Sequence, residues 1–151
     1  MTDADRLRLR GWVKLGEGLK LHAYQDSLGF WTLGYGRLID ATKGGGISKD
    51  EAEYLLGNDL KRMERECEKL PAYLDLSPSR QAVLIEMCFI LGPDGLRLFK
   101  RMFKALAEQD YAEAADCILA SKMAGQIGAR AVRLAEQLKT GRWAVNALSE
   151  T

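Results

Sequence analysis

The stretch Glu17-Gly-Leu-Lys-Leu-His-Ala-Tyr-Gln-Asp26-Ser-Leu-Gly-Phe-Trp-Thr32-Leu-Gly-Tyr-Gly36 decides how this chain folds. Ahead of it, Thr2 and Asp5 have cap spacing and Leu9, Trp12 and Val13 form an apolar stripe. These residues predict a helix, which Gly16 and Gly18 end around Glu17. Leu19 to Gln25 then alternates, with Leu19, Leu21 and Ala23 on one face, as in a strand. Asp26-Ser-Leu-Gly29 reads as a turn. Phe30 to Arg37 resumes as a strand, with Trp31, Leu33 and Tyr35 on one side and Thr32 and Gly34 on the other. Gly34 and Gly36 weaken that strand unless a backbone or a ligand approaches closely. A helix followed by a small antiparallel sheet is the expectation for the first forty residues.

Outward from this stretch the chain turns helical. After the loop Gly44-Gly-Gly46, Ser48 and Glu51 form a capping box. Ala52, Leu56, Leu60, Met63, Cys67 and Leu70 recur at steps of three and four, which predicts a long amphipathic helix from Ser48 to Lys69, stopped by Pro71. Gly57 interrupts this helix away from its apolar stripe. It is either a neutral exposed glycine or a hinge that lets two lobes open and close. Ser77-Pro78 opens a further helix, apolar on nearly every side from Ala82 to Leu91. Gly92-Pro-Asp-Gly95 reads as a turn before a helix bearing Leu96, Phe99, Phe103 and Leu106. Another helix is expected from Tyr111 to Ser121 and a last one from about Ala129, with Thr140-Gly-Arg-Trp143 closing the domain. The fold class is α+β: a small antiparallel-sheet lobe and a larger helical lobe joined by a long helix. Residues 1–151 make one domain with a cleft between its lobes.

Composition narrows the function. A formal net charge of +1 in 151 residues argues against a nucleic-acid module, which carries a basic excess. Cys67, Cys88 and Cys117 are odd in number and set in apolar helical stretches, so they read as buried free thiols made in a reducing compartment. No metal-ligand spacing occurs and no cofactor is expected. The charged start from Met1 to Arg10 lacks an apolar signal core, and no run is long enough to span a membrane. These features predict a soluble monomer of the cytoplasm with no membrane partner.

Glu17, Asp26 and Thr32 carry the candidate chemistry. A glycosidase needs one protonated carboxylic acid for the leaving oxygen and one carboxylate for water or nucleophilic attack. Glu17, beside Trp12 and Leu19, has the part-buried setting expected of an acid, whereas Asp26 in a polar turn has that of the ionised partner. The Thr32 hydroxyl can orient a water.

The stretch Glu17 to Gly36 closely resembles the catalytic segment of the phage-type lysozymes, glycoside hydrolase family 24, and in particular of its T-even phage members. The resemblance continues collinearly through Ile47-Ser-Lys-Asp-Glu-Ala-Glu53, Met87-Cys-Phe-Ile-Leu-Gly92, Ala114-Ala115, Ala129-Arg-Ala131 and Thr140-Gly-Arg-Trp143. It implies a lysozyme-like fold and a muramidase, cleaving the β-1,4 bond between N-acetylmuramic acid and N-acetylglucosamine in peptidoglycan. On that resemblance Glu17 is the general acid, while Asp26 and Thr32 position the attacking water for inversion. Leu38 and Phe89 match sugar contacts, Met102 and Cys117 occupy two further groove positions, and Arg130 matches an arginine that pairs with the catalytic glutamate. The resemblance further implies an endolysin, held in the bacterial host cytoplasm until a holin-type pore releases it to the wall.

The chain departs from the family pattern in places. Arg37 stands where histidine is usual, so an ion pair there is absent or rebuilt. The loop Ile39 to Ile47 is shorter than in the T-even members, and Met102 and Cys117 are not the expected polar residues. Other residues have ordinary readings: His22 as surface, Glu86 as a solvent-facing helix position rather than a cleft group, and Trp31, Leu33 and Tyr35 as sheet packing. Three alternatives remain: a lytic transglycosylase, a glycan-binding module that does not cut, and a helical interaction protein. The presence together of Glu17, Asp26 and Thr32 argues against the first two.

Overall fold

The computed structural model describes residues 1–145. The chain divides into two compact units, Met1–Tyr54 and Leu55–Thr151, and the division falls inside one continuous helix. The fold is α+β, with seven helices and a three-stranded antiparallel sheet of order β1-β2-β3 among the described residues.

In the first unit α1 runs Asp3–Glu17. The expected capping box is present: Asp5 N–H donates to Thr2 Oγ1 at 3.2 Å and Thr2 N–H to Asp5 Oδ2 at 2.8 Å. Two orphan amides of the first turn are thereby satisfied. Gly18 ends the helix, its N–H returning to the Lys14 carbonyl at 3.0 Å. The sheet consists of β1 (Lys20–Gln25), β2 (Trp31–Gly34) and β3 (Arg37–Leu38). β3 corrects the expectation of a single strand from Phe30 to Arg37. Gly34 and Gly36 have φ of 70° and 75°, a region that side-chain-bearing residues rarely enter, so the chain turns there and pairs with itself. The buried position of β2 is also Thr32, at 5% exposure, while Trp31 and Tyr35 lie open. Three short strands offer too little area to cover both faces, and the aromatic stripe is not the covered one.

The loop after β3 has its own architecture. Asp40 Oδ1 accepts from Thr42 N–H at 3.0 Å and from Thr42 Oγ1 at 2.5 Å, which starts a single 3-10 turn at Ala41–Lys43. Gly46 N–H then closes on the Leu38 carbonyl at 3.1 Å.

Helix α2 spans Lys49–Cys67, with Ser48 and Glu51 exchanging the expected cap bonds. At 1.5 Å per residue it is roughly 28 Å long. Gly57 lies inside it, exposed, and a β-carbon there would meet nothing within 4 Å. Gly57→Ala is therefore expected to stabilise the protein by about 0.5–1 kcal/mol, since alanine loses less backbone entropy than glycine in a helix. Differential scanning calorimetry should show a melting temperature about 1–4 °C higher. A lower one would mean that Gly57 meets packing the helix does not reveal. The hinge reading additionally requires altered turnover in the same variant.

The second unit holds the buried core. Its helices are α3 (Pro78–Arg97), α4 (Lys100–Ala107), α5 (Tyr111–Leu119), α6 (Lys122–Ile127) and α7 (Ala129–Thr140). Val83, Leu84, Met87, Cys88, Leu96, Met102, Ile118, Leu134 and Leu138 are fully excluded from solvent. The turn expected at Gly92 to Gly95 is a break at Gly92 alone (φ 75°, ψ 163°), after which the chain resumes helical geometry through Pro93 to Arg97. Helix α6 was not expected. Its start is a Ser121 side chain accepting from Ala124 N–H at 3.2 Å, and Gly128 ends it. Ser77 precedes α3 as expected, but its hydroxyl pairs with that of Ser79 at 3.1 Å instead of an amide of the helix. The start of α3 is tied to the end of α7. Arg80 donates to the Leu138 and Lys139 carbonyls at 2.8 and 3.1 Å, and Gln137 Nε2 donates to the Ser79 carbonyl at 2.8 Å.

Cys67 and Cys88 are buried and Cys117 half-buried, so the third thiol is less enclosed than expected. Burial pushes Cys67 up to about 12, with the neighbouring Cys88 adding to the effect, and also raises Cys88 and Cys117.

Candidate functional site

The three residues read as chemical lie together in the first unit. Glu17, Tyr24, Asp26, Phe30, Thr32, Gly36, Leu38 and Lys43 line one open concavity of about 480 Å³. Its floor follows from strand register. Tyr24 stands opposite Thr32, and Thr32 opposite Leu38, so one side chain from each strand falls in a row on one face of the sheet. The two-residue period places their neighbours too: Asp26 is two after Tyr24, Phe30 two before Thr32, and Gly36 two before Leu38.

Asp26 is fixed by the turn it begins. Its Oδ1 accepts from Leu28 N–H and from Phe30 N–H, both at 2.9 Å. Its own N–H donates to the Phe30 carbonyl at 2.9 Å. Among the described residues no hydrogen bond reaches Asp26 Oδ2. Thr32 Oγ1 donates to the Phe30 carbonyl at 3.0 Å. With that proton committed, the hydroxyl presents only acceptor capacity to the concavity.

Glu17 is the last residue of α1 and is exposed, as is Trp12 at 74%. The part-burial expected from its neighbours is therefore not what positions it. What stands against its carboxylate is the backbone of Gly36: a β-carbon added there would lie 2.8 Å from Glu17 Oε2 and 3.3 Å from Cδ. Lys43, carried in by the Asp40-capped turn, sits with its Nζ 4.7 Å from the centre of the Phe30 ring, within cation–π range.

Arg37 has a partner. Its guanidinium donates to both carboxylate oxygens of Glu51, at 2.7 and 2.6 Å, in the forked geometry open to arginine but not to histidine. Glu51 simultaneously accepts from Ser48 N–H at 2.7 Å. The Arg37 guanidinium first, and that amide second, hold the Glu51 carboxyl down at about 2. A carboxyl depressed in the folded state contributes stability above its ordinary pKa near 4.5, and loses it as pH falls toward 2. Glu51→Gln keeps an acceptor for Ser48 but removes the charge. Its melting temperature is expected to fall less steeply than wild type between pH 4.5 and 2. Parallel curves across that window would show the pair to be without effect on stability.

The remaining expected positions belong to the second unit. Phe89 is 43% exposed and lines a concavity of about 450 Å³ with Leu56, Leu60, Ile85 and Glu86. Met102 requires a correction. It is 0% exposed on the inner face of α4, so its side chain is core and not a groove contact. Its apolar chain takes the buried side of a strongly amphipathic helix. Cys117 packs, half-buried, against the same core. Arg130 donates from Nε to Glu86 Oε1 at 2.7 Å, and Arg133 donates to the same oxygen. Glu86 is thus a half-buried acceptor of two arginines, not the solvent-facing residue expected. Sequence reading missed Tyr24, Phe30, Lys43 and Gly36 as site-lining residues. The period of two around Asp26, Thr32 and Leu38 could have found all but Lys43.

The phage lysozyme family profile matches residues 14–137, and the chain belongs to that family. It is thereby a lysozyme of the peptidoglycan-lytic class. It is 27% identical over 160 residues to "Probable T4-type lysozyme 1" of Dictyostelium discoideum, spanning 88% of this chain and 94% of that protein. The "Endolysin" of Acyrthosiphon pisum secondary endosymbiont phage 1 is 41% identical over 51 residues, 34% of this chain and 35% of the relative. The "Pre-baseplate central spike protein Gp5" of Enterobacteria phage T4 is 27% identical across 92% of this chain, but this covers only 29% of the spike protein.

Proposed function

We propose that this protein is an inverting N-acetylmuramidase that hydrolyses the β-1,4 bond between N-acetylmuramic acid and N-acetylglucosamine in peptidoglycan. The observation that carries the reading is the convergence of Glu17, Asp26 and Thr32 on one concavity floored by the sheet. Glu17, whose carboxylate accepts no hydrogen bond among the described residues, delivers a proton to the leaving glycosidic oxygen. A water between Asp26 and Thr32 donates one hydrogen to Asp26 Oδ2 and the other to Thr32 Oγ1. Both acceptors are fixed by bonds to the Asp26–Phe30 turn, so the water's lone pair is aimed at the anomeric carbon. As the bond to the leaving oxygen breaks, Asp26 takes the water's proton and the new hydroxyl appears on the opposite face of the sugar. Leu38 and Phe89 are the sugar contacts in this reading. Its role is that of an endolysin stored in the host cytoplasm and released to the wall, supported by an endolysin among the relatives.

Product analysis on purified peptidoglycan tests it. Hydrolysis leaves reducing muramic acid ends, with the α anomer formed first if the reaction inverts. Anhydro-muramic ends would establish a transglycosylase, and binding without new ends a glycan-binding module.

A further inference from the structure

The chain turns between β2 and β3 through two glycines of like conformation but unlike surroundings. Gly34 has φ +70° and open space where a β-carbon would go. Gly36 has φ +75°, and there a β-carbon would stand 2.8 Å from Glu17 Oε2. Carbon and oxygen do not approach so closely, so any side chain at 36 forces a movement. The Gly36 backbone is held in the turn by flanking strand pairs at Leu33↔Arg37 and Thr32↔Leu38. The Glu17 carboxylate ends a flexible side chain with no hydrogen bond holding it among the described residues. The carboxylate is therefore what moves, and its movement is cheap in folding energy.

Resting on the muramidase reading above, we propose that Gly36 is a positioning residue for catalysis. Its bare α-carbon is the surface against which the Glu17 carboxylate is set, and a β-carbon there would misplace the proton donor without unfolding the protein. The two glycines thus divide their roles. Gly34 serves the turn alone; Gly36 serves the turn and the acid.

The test pairs Gly36→Ala with Gly34→Ala, using Glu17→Gln as the reference. Both alanine variants take on the same left-handed backbone strain, so both are expected to melt earlier and by similar amounts. Only Gly36→Ala is expected to lose turnover, by roughly 10–100-fold in kcat, because an ångström of misplacement at a reacting group is worth about that much. KM for wall fragments stays within about twofold in both, since binding is not what the methyl disturbs. Gly34→Ala keeps the wild-type kcat. Should alanine at 36 prevent folding, Gly36→Asn and Gly34→Asn replace the pair, because asparagine tolerates positive φ better. A second measurement separates a clash with Glu17 from any other cause. In a double-mutant cycle with Glu17→Asp, whose carboxylate is withdrawn by one methylene, the effect of Gly36→Ala on kcat is expected to shrink. Equal kcat losses at positions 34 and 36, or an undiminished effect in the Glu17→Asp background, overturn the proposal. Full activity in Glu17→Gln would instead bring down the muramidase reading itself.

Discussion

Glu17→Gln is expected to yield a folded protein whose turnover is lower by about 10²–10⁴-fold, the contribution typical of a general acid. Glutamine matches glutamate in size and shape, so it fills the same space beside Gly36. Because the Glu17 carboxylate accepts no hydrogen bond among the described residues, the substitution is expected to leave the stability of the sheet unchanged. Clearing of a suspension of bacterial walls, read beside a circular-dichroism melt, measures both quantities. A variant that melts like wild type and clears walls at the wild-type rate would remove Glu17 from the mechanism.

Asp26→Asn is expected to have the next largest effect, again roughly 10²–10⁴-fold in kcat, because in the proposed reaction the water then lacks its base. The choice of asparagine matters. Asp26 Oδ1 is the acceptor for two amides of its turn, and the asparagine carbonyl can keep both. Alanine would leave those donors without a partner and confuse a chemical loss with a structural one. Thr32→Ala, which removes one hydrogen bond to the water, is expected to lower kcat by about 2–12-fold, in line with roughly 0.5–1.5 kcal/mol for a hydrogen bond. Both variants should still bind glycan. If Asp26→Asn retains its rate and makes anhydro ends, the reaction is an internal displacement and Asp26 belongs to the turn alone.

The residues that were legible in the sequence are those whose local chemistry leaves few choices. Thr2 with Asp5 and Ser48 with Glu51 have the spacing of a capping box, and both boxes formed. Glu17 sits between glycines, and Asp26 opens a turn; both reached one site because strand pairing returns the chain to itself. β3 was hidden because it has only two residues, behind glycines that read as a weakened strand rather than a corner. Helix α6 was hidden by its six-residue length and by lying between two longer helices. Partners far apart along the chain were beyond local reading. Glu51 was placed as a cap, but its grip on Arg37, 14 positions earlier, needs the sheet to bring β3 beside the start of α2. Glu86 looked solvent-facing because the two arginines that hold it come from a helix 44 and 47 positions later. The family resemblance puts Met102 at a groove position, and only the amphipathic packing of α4 shows that its side chain turns inward.

The three cysteines give the helical unit a built-in reporter of its own opening. With the Cys67 thiol pushed up to about 12 by burial, it stays protonated at neutral pH, and thiolate is the form that attacks disulfides and alkylating reagents. Cys88 shares its burial and Cys117 only part of it, so the closed fold slows Cys67 and Cys88 most toward such reagents and Cys117 less. Loss of the core returns them to the ordinary acidity of a free thiol, near 8.5, and to solvent together. The rate at which a chromogenic disulfide is consumed by the native protein therefore counts excursions of α2, α3 and α5 from their packed state.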